Sequence, residues 1–276
     1  MIQIGLESFS PIMLGLVRFV LASALMIVIL FWKYPANDIA RVIRIEWKPL
    51  LALGLLYVSI PNVAQNIGLQ YGTSSIASVI QSSGPVMTLL FAVVLLGEGF
   101  TKTKAMGTAV AVFGTLLLVA SGGVSLGDED FVGNVFILIS ATSYGLAWVS
   151  AKGMLERNPP FLIIGLSLAF GTAVLALAVP FESNMRFELD SISALNVLTL
   201  GILCGAVSSV LYLSSLEHEE VSKMAFFIYM MPVFASAFAW LLRDELVEPW
   251  TALCGVIIVI GIIIANRNGS NAKERQ

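Results

Sequence analysis

The sequence predicts an all-α membrane protein made of inverted five-helix repeats, with nine of an expected ten transmembrane helices present in its 276 residues. Three observations predict it. Hydrophobic residues make up 58% of the chain and charged residues 12%, whereas a soluble domain carries about 25% charge. Apolar stretches of about twenty residues, the length that crosses a hydrocarbon core, recur along the chain with short connections. The run Gln81 to Glu98, which holds a proline and is closed by a glutamate, returns 147 positions later: Pro85-Val86 is echoed by Pro232-Val233, Ala92 by Ala239, Leu95 by Leu242 and Glu98 by Glu245.

Nine segments satisfy the length rule, at 11–32, 49–70, 74–96, 103–121, 131–152, 160–181, 192–215, 222–242 and 249–266. Breakers stand between them: Tyr34-Pro35, Gly122-Gly123, Asn158-Pro159-Pro160 and Glu248-Pro249. No charged, patterned stretch is left for a separate catalytic domain. The net charge of −3 is spread over short loops, with no basic face for nucleic acid. Cys204 and Cys254 fall inside apolar runs, where a small, weakly polar side chain packs between helices. Met1 is followed by Ile-Gln-Ile-Gly-Leu-Glu, which lacks the basic start of a cleaved signal peptide.

Cytoplasmic loops hold the excess of Lys and Arg. One set of connections carries Lys33, Arg41, Arg44, Lys48, Lys102, Lys104, Lys152, Arg157, Lys223, Arg267, Lys273 and Arg275, and the other only Arg186 and Arg243. This places the C-terminus and the 33–48 loop in the cytoplasm and Met1 outside. The repeat runs on through Gly54/Gly201, Leu69/Leu216, Ser75/Ser222 and Gly114/Gly261, and shifts by one upstream, where Gly5 meets Gly153 and Pro11 meets Pro159. Segment 131–152 then has no partner within the chain, so a further helix is expected ahead of residue 1. The division is a first repeat at 1–125, lacking its first helix, and a second at 126–276 with a short tail. Five helices per repeat invert the second relative to the first, a transporter signature.

Together, Ser10-Pro11 followed by Leu16-Val17-Arg18-Phe19, Gly84-Pro85-Val86 with Leu96-Gly97-Glu98, and Met231-Pro232-Val233 with Asp244-Glu245 resemble the drug/metabolite transporter superfamily, in particular its EamA-type ten-helix members. The resemblance implies two five-helix repeats, termini in the cytoplasm, a central cavity between the halves, and export or exchange of small metabolites. Two departures stand out: the absent first helix, which in the family helps line the cavity, and Met231, where many relatives carry an acidic residue.

Polar side chains are costly in hydrocarbon, so those inside helices are expected to face a cavity or another helix. At helical spacing they form stripes: Asn62, Gln65, Asn66 and Leu69; Ser74, Ser78, Gln81, Ser82 and Pro85; Ser140, Ser143, Tyr144, Ala147, Trp148 and Ala151; Gly205, Ser208, Tyr212 and Ser215; and Ser222, Phe226, Tyr229, Val233 and Ser236. The expected substrate cavity is lined by Asn62, Gln65, Gln81, Tyr144, Trp148, Ser208, Tyr212 and Tyr229. Helix-to-helix glue is the plainer role for the serines. Arg18 is the one formal charge well inside a helix, placed to meet an anionic group of a substrate, to reach the outer interface or to bind carbonyls. Pro85 and Pro232 are expected hinges, Glu98 and Glu245 loop-fixing or gating groups, and Gly107, Gly114, Gly255 and Gly261 close helix contacts.

Glu217-His218-Glu219-Glu220 reads as a solvated loop, so no metal and no cofactor is expected. The acidity of that loop runs against the positive-inside trend. No helix middle holds an Asp or Glu, which argues against carboxylate-driven proton coupling, and no clustered acids, His pair or activated serine suggests an intramembrane enzyme. The function expected is a multi-pass inner (plasma) membrane transporter that exports or exchanges small organic metabolites, amino acids or amphiphilic compounds, by alternating access. Its partners are a small-molecule substrate and the lipid bilayer, with no nucleic acid, and oligomeric state is left open. The alternative is a non-transporting scaffold or partner subunit.

Overall fold

The structure, a computed structural model, describes residues 2–71, 77, 80–81, 83–120, 131–182, 185–228 and 249–266. Twelve α-helices lie in these residues: α1 Ile2–Ser8, α2 Pro11–Lys33, α3 Ala36–Gly54, α4 Ile60–Tyr71, α5 Gly84–Leu96, α6 Lys102–Ala120, α7 Phe131–Leu155, α8 Pro160–Ala178, α9 Ser191–Leu198, α10 Ser208–His218, α11 Val221–Ile228 and α12 Pro249–Asn266. Wider π turns join α3 to α4 over Leu55–Ser59 and α9 to α10 over Thr199–Val207. Five stretches are long and apolar enough to cross a bilayer: Pro11–Lys33, Ala36–Tyr71, Phe131–Leu155, Pro160–Phe181 and Ser191–His218, with shorter apolar helices at Gly84–Leu96 and Leu253–Ala265. Expected segment 222–242 is described only as far as Ile228, and Tyr229, Pro232 and Glu245 lie outside the described residues.

Two expectations change. The loop at 33–48 is mostly helix, because Ile39, Val42, Glu46 and Leu50 recur at helical spacing and are buried while Arg41, Arg44 and Lys48 are exposed. Pro49, which has no N–H to give the preceding turn, sits just after a break at Glu46 (φ −109°, ψ 15°). Pro85 also differs from a proline inside an unbroken span. It occupies the first turn of α5 after a turn at Ser83, whose N–H bonds the Ile80 carbonyl, and a missing N–H is harmless there.

α2 packs on α8 and on the Thr199–Val207 turn, α4 on α7, α5 on α7 and α11, and α6 along α12. The main core holds Phe19, Met26, Leu30, Leu53, Tyr57, Trp148, Ile163 and Leu213, and a smaller one between α6 and α12 holds Ala111, Ile258 and Ile262. Where α3 meets α8 the backbones touch: a Cβ on Gly54 would lie 2.6 Å from the Gly171 nitrogen, so only glycine fits. The expected contacts at Gly107 and Gly261 are the α6–α12 crossing, against Ala265 and Ala111. Val28, Phe31, Trp32, Val94, Leu177 and Leu195 point outward, as lipid-facing side chains do.

Candidate functional site

Four helices converge around Arg18. α2 places it about 10 Å in from the helix's first residue at ~1.5 Å per residue, and its side chain is 7% exposed. Its electrostatic neighbours are Tyr144, Cys204 and Tyr57. Nε and Nη1 are buried without a hydrogen-bond partner among the described residues, and the guanidinium lies 5.5 Å from the Phe19 ring centroid. Of the elements packed on α2, α8, the Thr199–Val207 turn, α4 and α9 contain no Asp or Glu, and α1 carries the exposed Glu7.

Beside it the aromatic side chains of three helices stack in a chain. Tyr57 meets Tyr144 edge-on at 5.9 Å between centroids, Trp148 lies 4.8 Å from Tyr57, and Tyr212 lies 4.1 Å from Trp148. Such tilted arrangements suit the ring quadrupoles. Tyr57 shares a hydrogen bond with Ser209, and the hydroxyl of Tyr212 is buried without a partner among the described residues.

The α7 stripe is inward as its spacing predicts: Ser140, Ser143, Ala147, Trp148 and Ala151 are buried, with Tyr144 half-buried, and Ser143 donates to the Leu56 carbonyl at 2.9 Å. Asn62 is buried and does a second job. Pro61 has no N–H for the Tyr57 carbonyl, and the Asn62 amide donates to the carbonyls of Tyr57 (3.2 Å) and Val58 (2.8 Å) instead. This leaves its Oδ1 facing the Tyr144 hydroxyl at 3.4 Å. Asn66 donates to the Pro11 carbonyl at 2.7 Å. Gln65 and Gln81 are half-buried, with Gln81 Oε1 unpartnered among the described residues.

Ser208 is not part of this convergence. It is exposed beside Leu211 and Ser215 and donates to the Cys204 carbonyl, while Ser209 points inward. Steps of three and of four both keep a helical face. The i→i+5 turn over Thr199–Val207 holds more residues, and the buried face runs Gly205, Ser209, Leu213, Leu216. Tyr57 and Ser209 were not marked by the stripes. The signal for Tyr57 was Pro61, since a proline frees the carbonyl four residues before it.

Carboxylates hold two helix starts. Glu182 accepts from the N–H groups of Ile12 (2.9 Å) and Met13 (3.3 Å) and from the Ser10 hydroxyl (2.7 Å) at the start of α2. Glu98 accepts from the N–H groups of Val221 (2.8 Å) and Ser222 (3.3 Å), and from the Ser222 hydroxyl, at the start of α11. Lys104, nearly buried, lies 3.7 Å from Glu98 and 2.8 Å from Glu220 and donates to Ser222 at 2.8 Å. Lys223 pairs with Glu219 at 3.2 Å, and Lys152 donates to the carbonyls of Leu216 and Glu219 at the end of α10. Two of the three glutamates in the acidic loop are thus paired with lysines, and Lys152 holds its backbone. His218 is 77% exposed on the side chain, and no group of three potential metal ligands occurs among the described residues. A cleft of about 610 Å³ opens at the Pro11 end, bordered by Ser10, Gln70, Tyr71, Glu182 and Arg186.

The model of the EamA-like transporter family matches residues 1–120 and 131–267. The chain belongs to the EamA-like transporter family. It is a multi-pass membrane protein of transporter type. Among relatives of this EamA-like chain, an "Uncharacterized transporter" of Archaeoglobus fulgidus is 27% identical, covering 100% of this chain and 92% of that one. "Uncharacterized transporter YcxC" of Bacillus subtilis is 27% identical over 99% of this chain and 89% of its own length. A "Probable terminal-alkyne amino-acid exporter" of Streptantibioticus cattleyicolor is 24% identical, over 96% and 87%. A crystal structure of an 18% identical protein superposes with a TM-score of 0.82, covering 98% of this chain and 92% of that chain. The EamA-like chain shares that fold.

Proposed function

We propose that the chain exports or exchanges small organic metabolites, amino acids or amphiphilic compounds, through a site between two inverted repeats, 1–125 and 126–276, in the inner (plasma) membrane with the C-terminus in the cytoplasm. One observation carries this reading: Arg18, Tyr57, Tyr144, Trp148 and Tyr212 converge at helix-middle depth from both repeats. Polar and aromatic groups gathered inside an apolar bundle suit an amphiphilic ligand better than they suit packing. The family match in two blocks that divide near residue 125 supports the duplication, the lysine and arginine distribution supports the orientation, and the exporter relative supports amino acids as cargo. Alternating access is then a rocking of one repeat against the other, and the cleft at the Pro11 end is an outer mouth. The lining group comprises Asn62, Gln65, Gln81, Tyr144, Trp148 and Tyr212. Tyr229 and the hinge at Pro232 fall outside the described residues.

Purified full-length protein in liposomes, preloaded with unlabelled amino acids and supplied with labelled ones, tests it by counterflow. Saturable flux for at least one member of a broad panel is expected. Flux no greater than in empty liposomes across the panel would overturn the reading.

A further inference from the structure

We infer that Arg18 is the receptor for an anionic headgroup, so that the cargo is an organic carboxylate with an aromatic or branched apolar body. The inference rests on the transporter reading above and names the chemical class of its substrate. A guanidinium has five N–H donors and stays protonated, so burying one without acceptors is among the costliest arrangements a bundle can hold. Arg18 is 7% exposed, and Nε and Nη1 have no partner among the described residues. No carboxylate stands on α2, α4, α8, α9 or the Thr199–Val207 turn; Glu7 on α1 is exposed, Glu182 is taken up by Ser10, Ile12 and Met13 at the start of α2, and no acid pairs with Arg18 among the described residues. Lys104, by contrast, is equally buried and has two carboxylates and a hydroxyl. The fold pairs a buried cation where pairing is its purpose.

What surrounds the guanidinium selects the rest of the ligand. Tyr57 and Tyr144 lie within electrostatic range of it, and Trp148 and Tyr212 continue from them. The Tyr212 hydroxyl adds a second unpartnered polar atom. A planar carboxylate takes two parallel N–H bonds from an arginine edge, and an apolar body then lies along the rings. Arginine, with its fork of donors, suits this better than lysine.

The test uses the full chain in nanodiscs of phosphatidylcholine, with 3-phenylpropanoate, 3-phenylpropanamide and 3-phenylpropylamine as probes. Binding is followed by tryptophan fluorescence and by the shift in thermal unfolding. The carboxylate is expected to bind about tenfold or more tightly than the amide, the range of a hydrogen bond to a charged group, and the amine weakest. Arg18→Lys is expected to keep part of the preference and Arg18→Gln to abolish it. Because the wild-type comparison needs no variant, poor folding of Arg18→Gln leaves the test intact. Equal binding of carboxylate and amide, or no binding of the carboxylate, overturns the inference. Inorganic phosphate competing as well as the carboxylate would assign the site to phosphate groups, lipid headgroups included, and would also overturn it. Counterflow separates the two readings: saturable amino-acid flux without carboxylate selectivity removes the anion receptor alone, and carboxylate-selective binding without flux removes transport.

Discussion

Glu182 and Glu98 each receive the first backbone N–H groups of a helix that is distant in sequence, at α2 and α11 respectively. In both cases the acid and the helix come from opposite family-matched segments. Both satisfy donors that a helix start leaves open and set negative charge at the positive end of the helix dipole. Their company differs. At α11 the nearly buried Lys104 completes a network with Glu98, Glu220 and Ser222. At α2 the neighbouring cation, Arg186, is exposed and donates to the Leu6 carbonyl at 3.3 Å. One cap is a closed ionic lock and the other a half-open hydrogen-bonded clip. The lesson is that the same carboxylate geometry yields joints of unequal strength, depending on whether a cation is buried with it.

The largest expected effect comes from removing the buried cation. Lys104→Met leaves Glu98 facing helix α11 uncompensated, and a loss of about 3–5 kcal/mol is expected, as for any buried pair that loses one member. Arg186→Met is expected to cost under about 1 kcal/mol, because an exposed cation contributes little. Thermal unfolding of both variants in one detergent checks this, and equal losses would break the contrast.

Next come the acids themselves. Glu98→Gln is expected to cost about 2 kcal/mol and Glu182→Gln about 1 kcal/mol, since a glutamine keeps one acceptor but loses the charge. A double-mutant cycle sharpens the distinction: the Glu98–Lys104 pair is expected to couple by about 1–3 kcal/mol and the Glu182–Arg186 pair by close to zero. Coupling at Glu182 as large as at Glu98 would show that the clip is ionic too.

The smallest effect belongs to a third cap, at α9. Asp190 accepts from the Ser193 N–H at 2.7 Å, while Ser193 accepts from the Asp190 N–H at 2.9 Å. Hydrogen bonding to the carboxyl from Ser193, its side chain first and its N–H second, holds Asp190 below its ordinary value of 3.8. A lowered folded value means the cap contributes above that ordinary value and is lost as pH falls through the lowered one. The protection of the Ser193 amide, its exchange rate measured against the intrinsic rate at each pH, is therefore expected to fall only in that acid range, and Asp190→Asn to remove this fall. Protection that stays constant with pH in the wild type would contradict it.

The bilayer-crossing stretches could be read in advance because hydrocarbon demands about twenty apolar residues whatever the neighbours are. The α7 face could be read for the same reason, since Ser140, Tyr144 and Trp148 share one side of any regular helix. The amphipathic start of α3 was hidden by its own charges. Arg41, Arg44 and Lys48 look like a loop until Ile39, Val42 and Leu50 are seen to share a buried side. The inward serine of α10 was out of reach, because helical spacing admits both Ser208 and Ser209 and the π turn decides between them. Lys104, Glu98 and Glu220 meet only through tertiary packing, which no local period encodes.

The repair at Pro61 has an evolutionary corollary. Since the Asn62 amide occupies the Tyr57 carbonyl that the proline cannot serve, neither residue is free to drift alone. A descendant that lost Pro61 would regain a main-chain donor for the Tyr57 oxygen, release the asparagine nitrogen and alter how its oxygen addresses Tyr144. Positions 61 and 62 should therefore be inherited as a unit, and replacing Pro61 alone should retune what the protein carries by way of Asn62 and Tyr144.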